Sequence, residues 1–123
     1  VLARTYYHYG FQHLYVCENG AAYADAVSED GRVRDPKRVN YIAQHLLQAQ
    51  RAIADGVPLE GYYAWSLLDN FEWSFGYTRR FGLIYVDYES QQRILKDSAT
   101  YYRDVVAANA VIDPDSVFGA AGD

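Results

Sequence analysis

An α/β fold built on two adjacent parallel strands is predicted by three observations. A short apolar segment, His13 to Cys17, precedes a helix-period segment, and a second apolar run, Gly61 to Trp65, follows it. Strand, loop, helix and strand in that order form one βαβ unit, whose strands lie side by side and parallel. The composition can support a packed core, because 50% of the residues are apolar and only 22% are charged.

The elements follow in chain order. Val1 to Tyr9 reads as the end of a helix stopped by Gly10, a residue suited to the left-handed position after a helix. His13 to Cys17 is a short strand, and Glu18-Asn19-Gly20 leaves it through an Asn-Gly turn in which both residues tolerate positive φ. Ala21 to Asp35 is a long loop that turns at Asp30-Gly31. Asp35-Pro36 opens the best-defined helix, with Asp as N-cap and Pro at the first helical position. Its apolar stripe is Val39, Ile42, Leu46, Ala49 and Ile53, and Gln44, Gln48 and Arg51 lie off that stripe. Gly56 and Pro58 end it.

Gly61 to Trp65 is the second strand, apolar enough to be buried on both faces. Phe81 to Tyr88 and Arg93 to Lys96 form a small extended excursion turning at Glu89 to Gln92. Asp97 or Ser98 caps a last helix that turns Ala99, Tyr102, Val105 and Val106 inward. Residues 1–110 thus make one structural portion, and 111–123, rich in Ala, Gly and Asp and without a period, are expected to be a frayed tail. There is no internal repeat.

Charge and cysteine usage narrow the function classes. The net charge of −5 with no basic run argues against nucleic acid or an anionic membrane surface as partner. No apolar stretch approaches the roughly 20 residues of a membrane span. A single cysteine, Cys17, excludes an internal disulfide, so nothing points to a secreted disulfide scaffold and a cytoplasmic setting is the expectation. The histidines His8, His13 and His45 have no metal-ligand spacing, and no Gly-rich phosphate loop or Ser-His-Asp arrangement is visible, so no cofactor or metal is expected.

The most informative segment runs from Gly61 to Trp73, Gly-Tyr-Tyr-Ala-Trp-Ser-Leu-Leu-Asp-Asn-Phe-Glu-Trp. It places Glu72 among aromatic side chains, with Trp65 and Trp73 on either side in sequence. Indole faces stack on the C–H groups of a polyol ring, while indole N–H and carboxylate oxygens bind its hydroxyls. Residue types alone favour the plainer reading, an aromatic core strand running into a surface loop. In the same way, Glu18 before Asn-Gly reads by itself as a solvated turn residue.

This segment, with Tyr15-Val16-Cys17-Glu18-Asn19-Gly20 before it and Arg80 to Tyr88 after it, resembles the carboxyl-terminal part of a family 1 glycoside hydrolase over about Val1 to Asn109. The resemblance implies an α/β fold that is about the last two βα units of a (β/α)8 TIM barrel. Such a barrel takes roughly 250 residues. A chain of 123 residues that starts at Val1 and holds no methionine is therefore expected to be a carboxyl-terminal piece, whose partner is the remainder of the barrel.

The resemblance also assigns roles. Glu18 matches the nucleophile of the family's Thr-Glu-Asn-Gly motif. Retaining glycosidases need one carboxylate to attack the anomeric carbon and a second carboxyl group to protonate the leaving oxygen. The family's acid/base lies in an Asn-Glu-Pro motif, which this chain lacks. Glu72 matches instead the glutamate that binds the outer hydroxyls of the sugar, Trp73 a hydrogen-bond donor to the glycone, Trp65 the indole platform beneath the ring, and Phe81 the aromatic near its C6 end. Enzymes of the family that act on 6-phosphorylated sugars typically carry serine at the Glu72 position, and a carboxylate there would repel a phosphate. The implied substrate is a terminal unphosphorylated β-D-glycoside, small or oligomeric.

Arg79 and Arg80 are read as structural rather than as phosphate ligands. Cys17 replaces the family's usual Thr, and strand alternation turns it away from Glu18 and into packing. The tyrosines outside the Gly61–Trp73 segment are assigned to packing. Two further readings stand beside a β-glucosidase-like fragment that is inactive alone: a sugar-binding pseudoenzyme piece, and a structural half-barrel module.

Overall fold

A computed structural model describes residues 1–118. Helix α1 (Leu2–Tyr9) leads to strand β1 (Leu14–Asn19), helix α2 (Pro36–Ala54) and strand β2 (Leu59–Ala64). A single 3-10 turn (Trp73–Phe75) interrupts the loop that follows. Strands β3 (Ile84–Val86) and β4 (Arg93–Leu95), helix α3 (Asp97–Ala108) and the short helix α4 (Pro114–Phe118) complete the chain. β1 and β2 pair in parallel and β3 and β4 pair antiparallel, so the βαβ unit and the extended excursion both stand.

The helices form where expected and their caps differ. Gly10 takes the left-handed conformation after α1 at φ 67°. Asp35 and Pro36 occupy the N-cap and first position of α2, yet the Asp35 side chain makes no cap hydrogen bond. Its carboxylate instead accepts from the Ser98 backbone N–H and hydroxyl and from Arg38, stitching α2 to the start of α3. Neither Asp97 nor Ser98 stands at the N-cap of α3; Lys96 does, and its side chain makes no capping bond to the helix.

The core lies between α2 and α3. Val39, Ile42, Ala43 and Leu46 of α2 meet Tyr101 and Val105 of α3 and Leu83, with Tyr62 and Ala64 of β2 packed alongside. Ile53 and Val106, expected inward, are 51% and 62% exposed, while Tyr101 is fully buried. The stripe is rotated because the faces of α2 and α3 that meet are centred on Ile42 and Tyr101. β2 has no fully buried residue, so it is not buried on both faces within this chain. One face rests on α2 and α3, and on the other Tyr15 and Tyr63 are open. Tyr7, Tyr9 and Tyr77 are also exposed, so packing accounts for only part of the tyrosines.

The expected tail is partly structured. Asp113 Oδ1 accepts from the Asp115 N–H at 3.1 Å and Pro114 opens α4, repeating the Asp-Pro start of α2. Val111, Ile112 and Val117 pack on the core, and Tyr101 donates to the Ile112 carbonyl. Residues 119–123 lie outside the described residues. Among the described residues no helix is long and apolar enough to cross a membrane.

Candidate active site

Adjacent parallel strands bring their carboxyl ends to one edge of a sheet, and β1 and β2 do so here. Asn19 is in register with Ala64, and the Trp65 N–H donates to the Asn19 carbonyl at 2.9 Å. Glu18 and Trp65 therefore stand at the same strand ends. The pairing steps from Val16↔Tyr62 to Asn19↔Ala64, three residues along β1 against two along β2, which is a bulge at Cys17–Glu18. Alternation fails at a bulge. Cys17 still alternates with Val16 and lies with Tyr15 on the open face of the sheet, exposed rather than turned into packing, and the break in alternation leaves Glu18 exposed beside it.

Neither Asn19 nor Gly20 has positive φ, so the Asn-Gly turn expected from the sequence does not form. Gly20 is needed for a different reason. A Cβ there would lie 1.8 Å from the Trp65 carbonyl oxygen, so only glycine allows β1 to approach the end of β2 so closely. Asn19 is clamped from both sides: its amide donates to the Tyr41 hydroxyl at 3.2 Å, and the Tyr62 hydroxyl donates to its Oδ1 at 2.5 Å. Burial raises the Tyr62 phenol far above its usual range, which keeps it a donor.

Glu72 is buried at 8% exposure and accepts a hydrogen bond from Trp65 Nε1 at 3.3 Å. That bond joins the end of β2 to the loop seven residues further on. Trp73 projects outward at 85% exposure with φ 47°, a left-handed conformation unusual for a bulky side chain. The carbonyl of Phe81 accepts from the Ser66 N–H at 3.2 Å. Trp65 and Glu72 are thus bonded directly, Phe81 is bonded to Ser66 next to Trp65, Trp73 follows Glu72, and Glu18 shares their sheet edge. The Trp65–Ser66 peptide is cis. One cavity lies away from this edge, between α2, β2 and α3 against Leu46, Tyr62 and Val105, and another touches the site loop at Asp69, Asn70 and Phe71.

The site loop is held by charges that the sequence did not announce. Asp69, 4% exposed, accepts from Lys96 Nζ at 2.9 Å, Arg80 Nη1 at 2.7 Å, the Gly82 N–H at 2.9 Å and the Val86 N–H at 3.4 Å. Arg80 also covers the rings of Tyr85 and Tyr88, which fits its structural reading. Lys96, with no exposed surface, reaches Asp25 Oδ2 at 2.6 Å as well. Arg38 joins Asp25 at 2.7 Å and also pairs with Asp35. Burial opposes the charge on Arg38, but the Asp25 and Asp35 carboxylates outweigh it and push its guanidinium up. Burial pushes the Asp35 carboxyl up against the opposing pull of Ser98 and Arg38. Among the described residues no group of His, Cys, Asp and Glu is arranged to hold a metal.

A parallel βαβ unit with an acid and an aromatic–carboxylate loop at its carboxyl edge is a piece of a larger α/β fold, and the comparisons with known proteins identify it as part of a family 1 glycosidase barrel. Residues 1–111 match the model of glycosyl hydrolase family 1, and the chain belongs to that family. It is 54% identical over 105 residues to a 1,4-beta-D-glucan glucohydrolase of Thermotoga neapolitana, covering 85% of this chain and 24% of that protein. It is 52% identical over 113 residues to Beta-glucosidase A of Thermotoga maritima, covering 92% and 25%. A solved β-glucosidase of Thermotoga maritima in complex with glucoimidazole superposes with TM-score 0.88 at 53% identity, covering 89% of this chain and 25% of that one. The chain spans about a quarter of the length of the curated relatives it matches.

Proposed function

We propose that this chain carries the nucleophile and glycone subsite of a retaining β-glycosidase acting on terminal unphosphorylated β-D-glycosides. The observation that carries the reading is the shared strand edge. The Asn19–Trp65 backbone bond sets Glu18 beside Trp65, whose indole N–H is bonded to Glu72. Glu18, exposed at the bulge, is free to attack an anomeric carbon. The C–O bond to the leaving group breaks as that oxygen takes a proton from an acid elsewhere in the barrel. Water then cleaves the glycosyl ester and restores the carboxylate. Trp65, Trp73 and Phe81 supply aromatic contacts to the glycone, and Glu72 accepts hydrogen bonds from its outer hydroxyls. Its carboxylate disfavours a sugar phosphate at the same place.

With no Asn-Glu-Pro in the sequence, the acid/base belongs to the remainder of the barrel, and the isolated chain is inactive. Two strands cannot close a barrel, and the open Tyr15 and Tyr63 face favours association. The test joins this chain to the preceding part of Beta-glucosidase A of Thermotoga maritima. The hybrid should hydrolyse an aryl β-glucoside and the Glu18→Gln hybrid should not, because a neutral amide is a poor nucleophile. Turnover by the isolated 123-residue chain above a Glu18→Ala control would contradict the reading.

A further inference from the structure

Charges as deeply buried as Lys96 are costly to bring out of water, so each needs a full set of partners. Lys96 meets that need with two carboxylates from separate loops, Asp25 at 2.6 Å and Asp69 at 2.9 Å. Asp25 belongs to the loop after the Glu18 strand, and Asp69 to the loop that carries Glu72. The Lys96 backbone N–H donates to the Leu83 carbonyl at 3.0 Å, and Asp97 N–H to the Val33 carbonyl at 3.2 Å. The junction of β4 and α3 is thus a node on which both loops of the site edge converge.

Asp69 is the partner that ties this node to the site loop. All four acceptor positions of the Asp69 carboxylate are engaged, two by Lys96 and Arg80 and two by the Gly82 and Val86 amides. Segment 66–69 is bonded to segment 81–84 through Ser66 to Phe81, Asp69 to Ile84, Leu83 to Ser66 and Ile84 to Leu67. Gly82 is so close that a Cβ would lie 2.2 Å from the Asp69 nitrogen. Fixing the Asp69 carboxylate therefore fixes the base of the loop from Trp65 to Phe81. Ile42, 1% exposed in the apolar core between α2 and α3, takes part in none of these bonds.

We propose that Lys96, acting through Asp69, is a positioning residue for glycone binding. It holds the loop so that Glu72 stays against the Trp65 indole in the geometry a sugar ring requires. This rests on the reading of Trp65 and Glu72 as the glycone subsite. Lys96 touches neither the sugar nor Glu18. Its loss should therefore weaken binding of ground state and transition state together, which raises KM and leaves kcat nearly unchanged.

The test uses the hybrid barrel, with an aryl β-glucoside as substrate and glucoimidazole as inhibitor. Lys96→Met should raise KM and the inhibitor constant about tenfold or more, with kcat changed less than about threefold. Ile42→Ala, on the apolar side, should lower Tm and leave KM within about twofold. If Lys96→Met does not fold, Lys96→Gln, which keeps a donor at the node, is measured in the same way. Equal KM changes in the Lys96 and Ile42 variants, or a Lys96 variant with lowered Tm and unchanged KM, would overturn the inference and leave the glycosidase reading standing. Failure of both Lys96 variants to fold would also overturn it, making Lys96 a requirement of the fold. An unmodified hybrid that folds without activity would overturn the glycosidase reading, and the inference with it.

Discussion

The two sides of the βαβ unit are held by different forces. Behind the sheet, α2 and α3 meet through Ile42, Leu46, Tyr101 and Val105, an apolar contact edged by hydroxyl bonds from Tyr101 to the Ile112 carbonyl and from Tyr102 to the Tyr62 carbonyl. At the strand edge, the loops are fixed by Arg38, Arg80 and Lys96 against Asp25, Asp35 and Asp69, with little apolar burial around Glu72 or Trp73. Apolar packing is non-directional and tolerates substitution by similar volume. Charge-assisted hydrogen bonds constrain angle as well as distance. The difference teaches that the helix side stabilises the unit while the ionic side sets where its site atoms stand.

The largest departure should come from breaking the ionic side. Asp69→Ala in the hybrid barrel leaves Lys96 and Arg80 short of a carboxylate and two amides without an acceptor. Loss of one partner of a buried pair costs about 3–5 kcal/mol. Urea unfolding should show that loss together with weaker binding of glucoimidazole. Stability lost with unchanged binding would erase the distinction drawn between the two sides.

Ile42→Ala attacks the apolar side, where Ile42 is 1% exposed. Such a truncation costs about 2–5 kcal/mol from lost transfer energy and the cavity left behind. Here the same pair of measurements should show destabilisation with KM unchanged at temperatures where the barrel stays folded. Gly20→Ala tests the contact between the strands: with 1.8 Å to the Trp65 carbonyl, the added methyl must push Trp65 away. Overpacking of this kind costs about 1–3 kcal/mol, and reduced kcat/KM should accompany it, since Trp65 is displaced from Glu72.

The smallest effect concerns an exposed pair outside both sides. Arg34 side-chain bonds, with the Arg32 N–H, hold the Asp30 carboxyl down at about 2, below its ordinary 3.8. A depressed carboxyl stabilises the fold above its unfolded value, and that contribution disappears as pH falls from about 4 through about 2. In Arg34→Gln the Asp30 carboxyl carbon, followed by NMR, should titrate nearer its ordinary range.

Sequence reading captured the helix side and the residues of the site better than the means that hold them. Asp35-Pro36 and the stripe through Ile42 mark α2 because capping and a 3.6-residue period are local properties. Trp65 and Glu72 were legible as an aromatic–carboxylate segment, and the family resemblance extended that to Glu18. The ion network was not legible, since Asp25 and Lys96 are 71 residues apart and buried ion pairs leave no period in a sequence. The bulge at Cys17–Glu18 escaped for a related reason: it depends on how β1 pairs with β2, and Cys17 is exposed because the face it shares with Tyr15 is open in this chain. Helix α4 could have been found, because Asp113-Pro114 repeats the signal that located α2.

The most direct measurement of the central assignment is covalent trapping in the hybrid barrel. A 2-deoxy-2-fluoro β-glucoside with a good leaving group slows both chemical steps by destabilising the oxocarbenium-like transition state, so the glycosyl ester accumulates. Peptide mapping should place the sugar on Glu18, and Glu72→Gln should still form the adduct at a higher reagent concentration. A label on Glu72, or normal turnover in Glu18→Gln, would contradict the account.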